Sequence, residues 1–299
     1  MSLVIVGSVA FDTIETPLGR RERIVGGSGT YCSLAASFFT RPRIVAVVGR
    51  DFPRKTLAFL KSRHVDLTGL KVKAGKTFHW EGRYESDLNR RTTVRTELNV
   101  FADFRPEVPA AYSRARIVYL ANLNPEHHDL ILRQFRRPDL VAMDTIRLWI
   151  DTKREGLLRE LGRVDIFFAN DEEARLITGE ANLVAAGRAL LRMGPSLAVV
   201  KKGEHGALVF GPNDTFGVLA HPCEHVVDPT GAGDSFAGGF LGYLDRVPRR
   251  TPKEVHRAAV YGTVLASFTI EDFGIARFLT LDSRQVEGRY RQFKKLSSF

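Results

Sequence analysis

Cysteine and long apolar runs are both scarce in this chain of 299 residues. The two cysteines, Cys32 and Cys223, lie far apart in unrelated contexts, so we expect no disulfide framework, and a reducing compartment is compatible. No apolar run approaches the roughly 18 residues that a membrane-spanning helix needs, and the chain begins with a strand-like pattern instead of a basic leader. These features predict a cytoplasmic protein without a membrane partner.

Several familiar site motifs are also missing. The segment Gly69–Thr77 resembles a Walker-type phosphate loop, but the five residues between Gly69 and Gly75 give the wrong spacing, and a strand-like pattern follows. The segment His221–His225 lacks a further ligand at the usual spacing, which argues against a zinc site. Neither a G-x-S-x-G elbow nor a convincing G-x-G-x-x-G helix start is present, so hydrolase and dinucleotide-binding functions lose their main support.

Positive charge exceeds negative charge, with 44 Lys and Arg against 34 Asp and Glu, which gives a formal net charge of +10. The basic residues are scattered, and no stretch combines them with aromatic residues in the pattern of a nucleic-acid-binding module. We therefore expect no nucleic-acid partner. An excess of positive charge also suits an enzyme whose ligands are phosphates.

Short apolar runs alternate with segments of helical pattern along most of the chain. The first run is Leu3–Asp12, which we interpret as one buried strand that ends at a polar side chain. Such alternation predicts an α/β fold, a three-layer α/β/α sandwich around a mostly parallel sheet. Ligands of such sheets bind outside the carboxyl ends of the strands, so the polar residues that follow these runs are expected to share one rim: Asp12, Asn122, Asp144, Asn170 and Lys201.

One region departs from this alternation. Residues 77–98 alternate polar and apolar side chains around a central turn, which indicates a hairpin. Together with the polar segment 13–25, the hairpin is expected to form a small β lid over the site, and an exposed surface hairpin is the alternative. No repeat or linker divides the chain, so residues 1–299 are expected to form a single domain that carries this lid.

The segment Asp228–Phe240, DPTGAGDSFAGGF, joins a turn of small residues to an apolar helical pattern. Amides of Gly231, Ala232 and Gly233 at the positive end of a helix would stabilise a transferring phosphoryl group. Asp234, in the first turn, is placed to accept a proton from an attacking hydroxyl, and a plain helix-capping role is the alternative. The helical spacing predicts a buried face of Phe236, Phe240, Leu241 and Leu244, and close packing on a sheet at Gly238, Gly239 and Gly242.

The same segment resembles the C-terminal signature of the ribokinase-like, or PfkB-type, carbohydrate kinase family. The stretch GGSGTYCSLAA from Gly26 resembles the family's N-terminal signature in weaker form, with Tyr31 where the family usually has Asn. Asn170–Gly179 resembles the family's N-x-x-E segment, and Val199–Val209 resembles its ATP-side strand and turn. The resemblance spans most of the chain in the expected order.

The resemblance implies an ATP-dependent kinase that transfers the γ-phosphate to a hydroxyl of a small sugar or polyol. It makes Asp234 the general base and Gly231, Ala232 and Gly233 the anion hole. The implied acceptor residues are Asp12, Gly26 and Gly27, and the implied nucleotide residues are Asn170, Lys201, Gly203 and Gly206. Asn170 and Glu173 would organise Mg²⁺ through waters, while Asp228 and Thr230, with the segment near Gly274, would help hold a monovalent cation such as K⁺.

Several alternatives stay open. A nucleoside kinase or a phosphosugar kinase would use the same fold, and a catalytically silent nucleotide- or sugar-binding regulator belongs to a different class. Asn170 and Glu173 also match a capping box on a surface helix. Four arginines would either meet an anionic acceptor or stay at the surface: Arg83, Arg90, Arg91 and Arg147. We further expect a homodimer formed through the lid.

Overall fold

A computed structural model of the protein describes residues 2–297. The strands are β1 (Leu3–Gly7), β2 (Ala10–Thr16), β3 (Gly19–Gly26), β4 (Arg43–Gly49), β5 (Asp66–Lys73), β6 (His79–Tyr84), β7 (Arg91–Glu97), β8 (Ile117–Ala121), β9 (Leu140–Asp144), β10 (Ile166–Asn170), β11 (Leu197–Lys201), β12 (Ala207–Phe210) and β13 (Thr215–Val218). The helices are α1 (Ser28–Ala36), α2 (Arg54–Ser62), α3 (His128–Leu132), α4 (Arg147–Thr152), α5 (Arg154–Leu161), α6 (Asp171–Thr178), α7 (Leu183–Arg192), α8 (Ala232–Arg246), α9 (Pro252–Thr269), α10 (Ala276–Thr280) and α11 (Ser283–Leu296).

The main sheet has nine strands in the order β13-β12-β11-β10-β9-β8-β1-β4-β5. All neighbouring strands from β11 to β5 pair in parallel, whereas β12 and β13 add an antiparallel edge. The central strands are apolar at nearly every position because helices cover both of their faces. This arrangement confirms the predicted mostly parallel sheet.

Adjacent residues of the central strands enter different cores. Ile5 and Phe168 pack in the core that also contains Phe240 of α8, while Val4 and Phe167 pack in a second core on the other face of the sheet. This alternation follows from the two-residue side-chain period of a strand. The protein therefore has the predicted three-layer α/β/α arrangement. Between residues 2 and 297, none of the helices combines the length and the apolar character that crossing a membrane requires.

A second sheet of four strands stands apart from the main one, in the order β3-β2-β6-β7. Strands β2 and β3 form one antiparallel hairpin, β6 and β7 form another, and β2 and β6 join them in parallel. These strands coincide with the polar segment and the hairpin that the sequence pattern indicated. That the second sheet acts as a lid remains a prediction.

The interpretation of Leu3–Asp12 as one strand is wrong. Strand β1 ends at Gly7, and Asp12 lies on β2 in the second sheet. The chain leaves the main sheet at Ser8, whose amide donates to Ser28 Oγ at 3.3 Å instead of continuing the ladder. Three residues later, the Phe11 amide donates at 2.8 Å to the carbonyl of Phe78, the residue before β6. The apolar run is continuous, but the hydrogen bonds change partner.

Helix α8 contributes the predicted buried face, but its glycines pack on helices and not on a sheet. Phe236, Phe240, Leu241 and Leu244 are all buried. A Cβ atom at Gly238 would lie 2.3 Å from the Cys32 carbonyl oxygen of α1. At Gly239, a Cβ atom would lie 2.9 Å from the Tyr261 carbonyl oxygen of α9. Close contact with α1 and α9 fixes the direction in which the start of α8 points.

Candidate active site

The carboxyl edge of the main sheet brings three of the predicted rim residues together. Asp144, Asn170 and Lys201 end the neighbouring parallel strands β9, β10 and β11, and Asn170 lies directly opposite Lys201 in the ladder. Lys201 Nζ donates to Asp144 Oδ2 at 2.6 Å. Burial opposes the charge of Lys201, but Asp144 and Glu173 more than offset this effect and raise its pKa. The ammonium group is therefore fixed at this edge.

The start of α8 faces the same edge. Gly231 caps the helix with a φ of 78°, which glycine tolerates better than other residues, and the face of the Tyr31 ring packs on its backbone. The Ala232 amide bonds back to the Pro229 carbonyl at 3.2 Å, while the Gly233 amide belongs to the first turn, where no intrahelical acceptor exists. A Cβ atom at Gly233 would lie only 3.1 Å from Lys201 Nζ. The Lys201 ammonium group therefore lies beside the start of α8.

Asp234 is not the helix cap. Within residues 2–297 its carboxylate accepts no hydrogen bond, and the residue is partly exposed, so the carboxylate is available to a ligand. Burial and then the charge of Asp144 raise the pKa of Asp234 to about 7, while Lys201 and Arg91 act in the opposite direction. A carboxylate with a pKa near neutrality is suited to accept a proton from a hydroxyl at physiological pH.

Asn170 and Glu173 form the capping box that the alternative interpretation expected. The Asn170 side chain accepts from the Glu173 amide, and Glu173 Oε2 accepts from the Asn170 amide, both at 2.8 Å. The box is not at the surface, however, because Glu173 is only 4% exposed. Burial and the nearby Asp144 raise the pKa of Glu173 to about 7. The pair caps α6 and also places a buried carboxyl group beside the carboxyl edge of the main sheet.

The predicted acceptor residues lie together at the junction of the two sheets. Asp12 extends from β2 across Gly26, where any Cβ atom would lie 1.8 Å from Asp12 Oδ2. The Gly27 amide hydrogen-bonds to the Asp12 carboxyl group, and this bond lowers the pKa of Asp12. Burial and the charges of Asp228 and Asp234 outweigh it and raise the pKa of Asp12 to about 8. The result is a buried carboxyl group that accepts a hydrogen bond and is enclosed by glycine backbone.

The predicted monovalent-cation residues are also close to one another. Asp228 accepts hydrogen bonds from the amides of Thr230 at 2.9 Å and Gly274 at 3.0 Å, and burial raises its pKa. The Thr230 hydroxyl lies 3.0 Å from the Tyr84 hydroxyl of the second sheet. Within residues 2–297, no cluster of three or more His, Cys, Asp or Glu side chains is arranged to bind a metal ion by itself.

The carboxylate oxygens at the carboxyl edge of the main sheet fit a Mg²⁺ ion that is held mainly by phosphates and waters. Magnesium retains waters and usually takes only one or two carboxylates from the protein, together with substrate phosphates. Glu173 keeps one carboxylate oxygen outside the capping box, and Asp144 lies near enough to raise its pKa. Oxygen ligands of this kind match the ion even though residues 2–297 form no complete protein cage for it.

The turn after β11 approaches the second sheet. Gly203 packs against Asn89, which lies between β6 and β7, and Asn89 Nδ2 donates to Glu204 Oε1 at 3.3 Å. Gly206 lies further along the same turn, against the backbone of β13. The hairpin of the second sheet thus bridges the cleft to the turn in which nucleotide-binding residues were predicted.

Three of the four arginines left open by the sequence form ion pairs with carboxylates. Arg83 pairs with Glu15 at 3.2 Å, Arg90 with Asp87 at 3.3 Å, and Arg147 with Asp151 at 3.2 Å and also with Glu172. Arg91 differs, because its charge acts on Asp12, Glu173 and Asp234. Arg91 is exposed to solvent, although it lies near enough to these three carboxyl groups to lower their pKa values.

Sequence reasoning missed two parts of this site. It did not pair Asp144 with Lys201, and it did not place Tyr84 beside Thr230. The first pair was accessible in principle, because both residues end apolar runs that become near neighbours in a parallel sheet. The second joins residues 146 positions apart on different sheets, and no local pattern indicates it.

The comparisons with known proteins identify a phosphotransferase that acts on a hydroxyl group, and they also give its family. The family model described as pfkB family carbohydrate kinase matches residues 2–280, so the chain belongs to this family of kinases. The chain is 34% identical over 251 residues to cytidine kinase from Thermococcus kodakarensis, covering 82% of this chain and 89% of that protein.

Solved structures show the same fold. Ribokinase from Thermotoga maritima superposes with a TM-score of 0.77 at 18% identity, covering 97% of this chain and 99% of that one. Aminoimidazole riboside kinase from Salmonella enterica, complexed with aminoimidazole riboside and an ATP analog, also gives a TM-score of 0.77 at 18% identity, over 97% and 100% of the two chains. The fold is therefore that of the ribokinase family.

Proposed function

We propose that the protein transfers the γ-phosphate of ATP to the ribose hydroxymethyl group of a nucleoside. The observation that carries the transfer chemistry is Asp234, a carboxylate without a hydrogen bond to residues 2–297, beside a helix start and Lys201. The choice of a nucleoside is supported by the similarity to the cytidine kinase over most of both chains. A free sugar or polyol, predicted from the sequence, is a second candidate, because Asp12 would recognise hydroxyls alone.

In the proposed reaction, Asp234 takes the proton of the acceptor hydroxyl as its oxygen attacks the γ-phosphorus. The bond from phosphorus to the β,γ-bridging oxygen breaks, and ADP leaves. The Gly233 amide and Lys201 stabilise the charge on the transferring group, while Asp12 accepts hydrogen bonds from other acceptor hydroxyls. Binding orients the two reactants, which accounts for much of the acceleration in transfers of this kind.

Glu173 and Asn170 are the residues that we propose to hold Mg²⁺ through waters. The ion would neutralise the phosphates of ATP when bound. Asp228 and Thr230 are proposed to help hold a monovalent cation such as K⁺, which the burial of the Asp228 carboxylate supports. A homodimer through the second sheet is also a proposal. It is supported by the exposed edge strand β7, and sedimentation would test it.

The test is a coupled ADP-release assay with nucleosides, free sugars and polyols as acceptors. Asp234→Asn serves as the blank, since it keeps the shape of the side chain and removes the base. We expect its turnover to fall by about two to four orders of magnitude with ATP binding nearly unchanged. Wild-type turnover in the variant would exclude Asp234 as the base. No turnover by the wild-type protein on any acceptor would favour a silent regulator.

A further inference from the structure

The inner face of the second sheet carries an aromatic surface that the transfer chemistry does not use. Trp80 lies on β6, and a Cβ atom at Gly82 would lie 2.0 Å from its Cη2 and 2.5 Å from its Cζ2. The indole therefore lies flat across the Gly82 backbone, in space that any other side chain would fill. One face of the ring packs on the sheet. A glycine within a strand often marks such a close approach.

The position of Trp80 connects this surface to the acceptor pocket. Trp80 is the direct ladder partner of Asp12 in the parallel pair of β2 and β6. Paired residues on neighbouring strands project from the same face and lie about 5 Å apart. A ribose whose hydroxyls contact Asp12 would thus place the group on its anomeric carbon within reach of the indole.

Arg91 completes the surface. It pairs with Tyr84 across the hairpin, and its guanidinium carbon lies 5.7 Å from the centre of the Trp80 ring. In contrast to Arg83 and Arg90, it has no carboxylate within ion-pair distance in residues 2–297. It hydrogen-bonds to the Tyr84 side chain, and the remaining N–H donors of its planar guanidinium are available to a ligand.

We propose that Trp80, Gly82 and Arg91, which we name the base shelf, bind the planar base of the acceptor nucleoside. The indole stacks on the base, and the guanidinium donates to an oxygen or nitrogen acceptor on the rim of its ring. The inference rests on the proposed function and deepens it, because the shelf is the feature that selects a nucleoside over a free sugar. Flat aromatic contact tolerates several bases, whereas the Arg91 donors favour those with acceptor atoms.

Fluorescence tests binding without turnover. The chain has two tryptophans, so Trp149→Phe leaves Trp80 as the reporter and Trp80→Phe leaves Trp149 on α4 as the matched control. We expect cytidine to quench the first variant and not the second, and ribose to quench neither. Equal quenching in both variants, or no quenching by cytidine at concentrations that saturate turnover, would overturn the shelf.

Kinetics test the energetic contribution. Trp80→Leu keeps an apolar side chain without a ring, and KM for cytidine should rise by about 5- to 150-fold, the range of one lost stacking contact, with kcat nearly unchanged. Gly82→Ala should act in the same way by displacing the ring. The strand glycine Gly217 gives the control, since a Cβ atom there would lie 3.7 Å from Leu208 Cδ2, an ordinary contact. Gly217→Ala should leave KM unchanged.

The outcomes separate the two proposals. Cytidine turned over by Trp80→Leu with the wild-type KM would overturn the shelf and leave the proposed function intact. Quenching of Trp80 by cytidine without phosphorylation of any acceptor would support the shelf as a binding site and contradict the proposed function. A raised KM for ribose as well as cytidine in Trp80→Leu would show that the ring supports the pocket generally, and this too would overturn the shelf.

Discussion

Removing either partner of the Asp144–Lys201 ion pair should shift the pH dependence of phosphoryl transfer, and the two shifts should have opposite signs. The charge of Asp144 raises the pKa of Asp234, and the charge of Lys201 lowers it. Asp144→Asn should therefore lower that pKa from about 7, and Lys201→Met should raise it. Because the base must be ionised, the acidic limb of kcat/KM moves to lower pH in the first variant and to higher pH in the second.

The size of each shift follows from the geometry. Both charged groups are largely buried: the Lys201 side chain is 16% exposed and the Asp144 side chain is 6% exposed. Lys201 Nζ lies 2.6 Å from Asp144 Oδ2. A charge a few ångströms from a carboxyl group moves its pKa by about 1–3 units, and we expect about 1 unit here because the cleft is open to water. Lys201→Met should also destabilise the fold by about 3–5 kcal/mol, since it leaves Asp144 buried without its cation.

The assay is ADP release at low acceptor concentration over a pH series around 7, because kcat/KM reports the ionisation of free enzyme and free substrate. The double variant should return the midpoint towards the wild-type value and recover part of the lost stability. Asp139→Asn, which removes an exposed ion pair with Arg116, is the control and should leave the midpoint unchanged. Midpoints that move in the same direction in both single variants would refute the placement of the pair beside the base.

Three other changes give distinct results. Tyr31→Phe removes a buried hydroxyl without a partner in residues 2–297, so the melting temperature should rise by the equivalent of about 1–3 kcal/mol; a decrease would contradict this account. Asp12→Asn should stabilise the fold more at pH 8 than at pH 5. Because the pKa of Asp12 is raised to about 8 in the fold, the wild-type protein loses stability as the pH rises from near 4 towards 8, and the variant does not. An equal gain in melting temperature at both pH values would argue against that burial. Asn89→Ala loses the bond to Glu204, so protease cleavage near residue 89 should be faster, and identical cleavage of both proteins would show that the contact does not hold the hairpin.

The strands of the main sheet could be predicted because burial on both faces makes them continuously apolar. The segment Ile166–Asn170, for example, is predicted from its own residues alone to be a strand that ends at a polar side chain. The hairpin of the second sheet was equally local, since alternation around a turn is a property of neighbouring residues. The buried face of α8 was visible for the same reason.

Local sequence patterns did not predict the structure correctly where the outcome depends on which distant residues form hydrogen bonds or contacts. Nothing in the apolar run around Gly7 shows that Ser8 bonds to Ser28 and that Asp12 consequently joins another sheet. The glycines of α8 signalled a close approach, but their spacing could not reveal that the neighbours are α1 and α9. The N-x-x-E segment shows a different limit, because one pair of residues satisfies a helix cap and a buried site at once.

Arg91 connects recognition of the acceptor to ionisation of the base. It lies on the second sheet, and its charge lowers the pKa of both Asp12 and Asp234. Removal of the Arg91 charge, as in Arg91→Met, would therefore raise both pKa values and leave more of the base protonated at neutral pH. A ligand that hydrogen-bonds to Arg91 and keeps its charge beside Asp234 favours the ionised base by the same interaction. On this argument, an acceptor that cannot engage Arg91 should lose turnover as well as affinity, and the loss should be larger below pH 7 than above it.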